Sequence, residues 1–177
     1  GRRWQPGSDG NSGDVVGIRA SHRRGLILST VVWLGVLSGN ALAQCAEDRV
    51  DLRGDWGSAR FTVELADDAR ERGIGLMHRE SMPLSAGMLF AYEEAQQVSF
   101  WMRNTLIPLD MIFMDATGRV THIHENAIPL DETGISGGEA DVQYVLEING
   151  GLAGRMGIEV GSELRHPAIG PNAAWVC

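Results

Sequence analysis

Short β-rich runs, each broken by a turn signal before it can lengthen, recur from Phe61 to His166. Phe61-Thr62-Val63-Glu64-Leu65 alternates apolar with polar, as a half-buried strand does. Gly87–Tyr92 and Val98–Arg103 read as strands joined by a polar turn at 93–97. Leu109–Asp115 is apolar enough for a central strand. Ala116-Thr117-Gly118 then turns the chain, and Arg119–His124 returns as a hairpin partner. A loop carrying Pro129, Gly134, Gly137 and Gly138 spans 126–140, and Val142–Ile148 and Glu163–His166 complete the strands. Two short helices fit between them. One is capped by Asp67 and runs through Arg72; the other is Leu152–Met156, stopped by Gly157. About seven short strands with minor helices predict a mainly β chain. The expected form is a compact antiparallel β-sandwich, jelly-roll-like, with one or two short helices.

That domain is placed at 60–167, behind an extended lead-in at 44–59 and ahead of a C-terminal tail at 168–177. Residues 1–20 are polar, Gly-rich and aperiodic, and read as a disordered or mis-assigned start. Residues 21–43 have the layout of a secretory signal: the Arg23-Arg24 pair, an apolar run from Leu26 to Leu37, and Ala41-Leu42-Ala43 before Gln44. The apolar run falls short of the ~20 residues a membrane span needs. Cleavage between Ala43 and Gln44 is expected, with the membrane met only through the signal segment before cleavage, and the product exported to the periplasm or secreted. Gln44 in front of Cys45 argues against lipidation, which needs a small residue there.

The whole sequence carries 15 basic residues, all Arg, against 23 acidic ones, for a net charge of −8. Removing the leader takes away more Arg than Asp, so the mature chain is more acidic still. A polyanion needs a basic face, which excludes nucleic acid as the expected partner. The two cysteines, Cys45 and Cys177, lie at opposite ends of the mature chain. In an oxidising compartment such a pair can close a disulfide where the termini meet; otherwise the two ends stay apart as loose tails.

Several blocks stand in a specific order: Gly75-Leu76-Met77-His78-Arg79, Gly87-Met88-Leu89-Phe90, Phe100-Trp101-Met102-Arg103-Asn104-Thr105, Ile107-Pro108-Leu109-Asp110-Met111-Ile112-Phe113, and Tyr144-Val145-Leu146-Glu147-Ile148-Asn149-Gly150-Gly151. Through them the chain resembles the domain of unknown function 192 family, also called UPF0127, over about residues 60–167. The resemblance implies a compact jelly-roll-type β-sandwich, often behind a signal peptide, and implies no activity. That family has Lys or Arg where Arg103 stands, and commonly Asp where this chain has Ser162.

The candidate site residues lie in these blocks. On a strand, Trp101, Arg103 and Thr105 face one side and Phe100, Met102 and Asn104 the other. Arg103, Asn104 and Asp110 bracket the Pro108 connection, and Glu147 sits inside an apolar strand, where a carboxylate needs a partner. Pairing of Arg103 with Asp110 or Glu147 would satisfy them. Arg103, Asn104, Asp110, Glu147 and Trp101 are thus either a polar ligand pocket or an ion-pair network that fixes a loop. His122 and His124, two apart on a strand, are weak metal candidates without a positioned third ligand. Six of the seven Met lie between Met77 and Met114, but Met88, Met102, Met111 and Met114 sit in apolar strands, where Met is core filler more than a copper ligand. No cofactor is implied.

Three functions follow. The first is a small binding or accessory module for a small ligand or an envelope protein. The second is a small hydrolase using Asp110 and Glu147 as a carboxylate pair. The third is a structural interaction protein. No zinc-protease helix is present in the sequence to favour catalysis.

Overall fold

A computed structural model describes residues 45–177. The signal segment and the Ala43–Gln44 cleavage point lie outside the described residues. The strands are β1 (Arg49–Gly54), β2 (Gly57–Ala66), β3 (Ala86–Gln96), β4 (Ser99–Phe100), β5 (Leu109–Met114), β6 (Val120–Ala127), β7 (Ile135–Ser136), β8 (Val142–Asn149) and β9 (Glu163–Arg165). Helix α1 (Ala69–Ile74) lies between β2 and β3, and α2 (Leu152–Met156) follows β8. A 3-10 segment, Pro167–Asn172, closes the described chain. The protein is a compact, mostly β fold with few short helices.

Seven strands form one curled sheet in the order β6-β5-β8-β3-β2-β1-β9, and β4 pairs with β7 in a small second sheet. Every pairing is antiparallel except one: β2 and β3 run parallel, Thr62 opposite Ala86 through Ala66 opposite Phe90. The cause is α1, which makes a β-α-β crossover and returns the chain to the end where β2 began. Asp68, one residue beyond the expected cap, accepts the Glu71 amide at 2.7 Å and starts this helix. The sheet curls far enough that its edges meet. Arg119 bridges to Glu163, and the Val120 amide donates to the Ser162 carbonyl at 2.8 Å.

Two apolar clusters divide the faces. The inner cluster takes Val50, Leu52, Phe61, Val63, Leu89, Leu146, Ile148, Ile112, Val120 and Leu164, so all seven strands point into the curl, and Ala153 of α2 plugs it. The outer cluster lies on the opposite face of β3, β8 and β5, with Met88, Phe90, Val145, Met111 and Phe113. Phe100 of β4 and Ile135 of β7 pack on it, so the small sheet and its loops form a second layer.

Four local expectations change. Residues 98–103 do not continue as a strand: only Ser99–Phe100 pairs, because Asn104 takes φ 55° and the chain turns there. The lead-in contains β1, and the tail contains the 3-10 segment. β3 runs straight through the 93–96 segment that reads as a polar turn.

Candidate functional site

The outer face of the sheet carries one acid among apolar side chains. Glu147 of β8 lies opposite Met88 of β3 on one side and Met111 of β5 on the other. It is 4% exposed. Burial pushes its carboxyl up from its usual range to about 8, so it holds a proton at neutral pH. Among the described residues no group hydrogen-bonds it. Fully buried side-chain polar atoms without a partner are also absent there. The carboxyl oxygens therefore keep their small exposure, and it opens into a cavity.

That cavity, about 150 Å³, lies between α1, its following loop and the sheet. Phe90, Tyr92, Phe100 and Trp101 supply aromatic wall, Thr105 and Ser99 supply hydroxyls, and Arg72 stands on the lining from α1. Phe90 and Phe100 meet edge to face, centroids 5.3 Å apart. Gly75, at φ 49°, lets the loop pass the Phe90 ring where a Cβ would sit 3.2 Å from it. Arg72 lies 4.9 Å over the Tyr92 ring and donates to the Asp67 and Ala91 carbonyls. Burial raises the Tyr92 hydroxyl above its usual value, helped by Glu147 and opposed by Arg72.

Strained backbone gathers at this edge. His78, Asn104 and Leu130 all adopt positive φ without being glycine. The His78 amide donates to the Asn104 carbonyl and the Leu130 amide to the Thr105 carbonyl, so one turn holds all three segments. Strain of order 1–3 kcal/mol per residue persists where surroundings over-determine it, commonly at binding sites.

The five sequence candidates divide. Trp101 and Glu147 share the cavity. Arg103 is exposed and lies 5.6 Å over the Trp101 ring, and Asn104 is exposed beside Met77. The expected pairing of Arg103 with Asp110 or Glu147 is not made. Asp110, 0% exposed, faces the inner cluster and accepts three backbone amides. Asn126 and Gly151 donate to Oδ1 at 2.8 and 2.7 Å, and Ala153 to Oδ2 at 2.7 Å. It serves as the cap that α2 lacks, since Gly151 at the helix start has no side chain to offer. Backbone amides took the place of the guanidinium, a substitution no spacing in sequence reveals.

His122 and His124 line a separate groove of about 510 Å³ with Asp131 and Thr133. Among the described residues no group of three His, Cys, Asp or Glu side chains is placed to hold a metal. Cys45 and Cys177 are joined, their Cα atoms 5.6 Å apart. No helix of the described residues is long and apolar enough to cross a membrane.

The sequence left Phe90, Tyr92 and Arg72 unassigned. The alternation of Phe90 and Tyr92 would put both on one face, but only the folded cavity brings them to Glu147, which the β3–β8 register sets opposite Met88.

The profile of the DUF192 family, described as Uncharacterized ACR, matches residues 50–166. The chain belongs to the DUF192 family. Two crystal structures share its fold. One is a protein of unknown function from Novosphingobium aromaticivorans, 42% identical, covering 66% of this chain and 82% of its own, with a TM-score of 0.64. The other is a candidate transcription regulator from Sinorhizobium meliloti, 43% identical, covering 68% and 94%, also at 0.64. No curated protein matches the chain.

Proposed function

We propose that this DUF192 protein is an exported binding module of the cell envelope whose small-ligand site is the cavity over Glu147 and Trp101. The observation that carries the reading is a buried acid that no group among the described residues satisfies, aimed into a concave, aromatic-walled space. Evolved cores satisfy or exclude such groups, and an exception calls for an occupant or a role. The signal pattern and the disulfide support an oxidising, exported setting. One relative is described as a candidate transcription regulator. For this chain a net charge of −8 with no Lys favours a ligand over direct DNA contact.

The hydrolase reading loses its premise. Glycoside hydrolysis needs two carboxyl groups flanking one bond, and Asp110 lies on the other face of the sheet with every oxygen bound to amides. A thermal-shift screen of small polar and amphipathic compounds tests the binding reading. Ligands of this site raise the melting temperature of the wild type and fail to raise that of Trp101→Ala or Glu147→Gln. Hits that shift all three equally count against the cavity.

A further inference from the structure

The chemistry of the cavity says more than that it binds something. We infer that it takes a small organic cation, an alkylammonium group seated against the aromatic wall with Glu147 as its counter-charge. This rests on the cavity being a ligand site, and it follows from what each wall offers.

The floor is the one acid of the lining. Burial alone raises it, and among the described residues no cation pairs with it, Arg72 on the same lining being held by two carbonyls. Its charge must therefore be neutralised from inside the cavity: by a proton when the cavity is empty, by a cation when it is filled. The walls are rings, and ring faces attract cations. Two of these rings already hold cations of the chain itself, Arg72 over Tyr92 and Arg103 over Trp101. Those guanidiniums do not make the cavity an anion site. Arg72 is committed to two carbonyls, and Arg103 stacks outside on an exposed ring. An anionic occupant would press on an acid floor. A neutral one would meet the Ser99 and Thr105 hydroxyls and the protonated acid, and would gain only apolar contact from the ring faces. The volume admits a headgroup of a few heavy atoms.

Binding releases one proton from Glu147 to solvent for each cation taken up. The other titratable groups on the lining are Arg72 from α1 and Tyr92 from β3. The Tyr92 hydroxyl is raised by burial and so keeps its proton between pH 7 and 9. The ionised fraction of an acid that titrates at about 8 grows roughly tenfold over those two pH units.

The test uses tetramethylammonium, whose charge is independent of pH, against its neutral near-isostere tert-butanol and against acetate, all at matched ionic strength. Titration calorimetry on the wild type should show tetramethylammonium binding that strengthens about tenfold from pH 7 to 9. Buffers of different ionisation enthalpy should report close to one proton released at pH 7. Glu147→Gln, which resembles the protonated acid and keeps the fold, should lose this binding at least tenfold together with its pH dependence. Trp101→Ala, at an exposed ring, should weaken it several-fold with the pH dependence retained. Equal binding of tetramethylammonium to Glu147→Gln, or equal affinity for tert-butanol, overturns the inference. Absence of tetramethylammonium binding overturns it whatever the other probes do. Binding of tert-butanol or acetate in its place, lost in Trp101→Ala, would leave the ligand cavity standing and remove only the cation.

Discussion

Asp110 and Glu147 stand one register step apart on adjoining strands and point to opposite faces of the sheet. Asp110 pairs with Ile148, and Glu147 with Met111. Strand side chains alternate, so that single step separates two acids of similar burial into different environments. On the inner face Asp110 meets three amides; on the outer face Glu147 meets methionines and a cavity. The first is a structural cap and the second is an unsatisfied acid.

Asp110→Ala should therefore destabilise the fold by ~1–4 kcal/mol, because the Asn126, Gly151 and Ala153 amides lose their acceptor in the interior. Asp110→Asn should cost less. Its remaining carbonyl can serve Asn126 and Gly151, while its amide group turns toward the Ala153 N–H and leaves that bond unmade. Urea melts of both variants decide it, and an Asp110→Ala protein as stable as the wild type would sink the capping account.

Cys45 and Cys177 are separated by 132 positions, and their bond ties the ends of the described chain. Loop-closure entropy for a ring of that size corresponds to about 5 kcal/mol, and removal of native disulfides typically costs 2–5 kcal/mol. Reduction, or replacement of both cysteines by Ser, should lower stability by an amount in that range without changing the strand content seen by circular dichroism. Urea midpoints with and without reductant measure it; a shift under about 1 kcal/mol would mean that contacts such as Trp175 between Arg53 and Arg165 hold the ends unaided.

The mainly β fold was legible because its central strands are unambiguous. Leu109–Met114 is buried at every position, and Val142–Asn149 is nearly so. Helix α2 could be read from its flanking glycines. Strand β1 could not, because Arg49, Asp51 and Arg53 dominate its composition. Only Val50 and Leu52 point inward, while Asp51 is held between Arg60 and Arg165 and Arg53 pairs with Glu163. Burial works to raise the Asp51 carboxyl, but hydrogen bonds from the two arginines outweigh it and hold it below its usual range. The helix between β2 and β3 could be read, but the parallel β2–β3 pair could not, because a six-residue helix does not say in sequence which strand its chain returns beside. At the site, Glu147 and Trp101 stand out as chemically odd residues in their segments. Their meeting with Tyr92 and Arg72 depends on long-range register, which no local pattern encodes.

Two glycines make opposite predictions. Gly87 in β3 lies where a Cβ would come within 2.4 Å of the Glu147 carbonyl oxygen, a backbone atom in a central strand that cannot step aside. Gly87→Ala should destabilise by at least ~1–3 kcal/mol and disturb the cavity floor. Gly73 in α1 has open space where a Cβ would sit, with nothing within 4 Å, and no positive φ. Gly73→Ala should stabilise by ~0.4–1 kcal/mol, since Ala restricts the unfolded chain and favours helix. Thermal or urea melts check both, and a neutral Gly87→Ala would show that β8 can move away from β3.

Glu147 should also leave its mark on stability as a function of pH. Its ordinary value is 4.5, and in the fold it titrates at about 8. Between those two values the native state keeps a proton that the unfolded chain has released. Stability then falls as pH rises, by up to ~1.4 kcal/mol per pH unit for this group, and levels off above about 8. The acids with lowered values, Asp51, Glu64, Asp131 and Glu163, act in the opposite sense and lose their contribution only as pH drops through the carboxylate range. Glu147→Gln removes the proton linkage and keeps a neutral side chain of the same shape. Urea melts from pH 5 to 8.5 should show the wild type losing stability relative to Glu147→Gln as pH rises, with the two curves parallel above that window. Parallel curves throughout would mean that Glu147 ionises in the fold as readily as in the unfolded chain, and the buried, unsatisfied acid on which the binding reading stands would not exist.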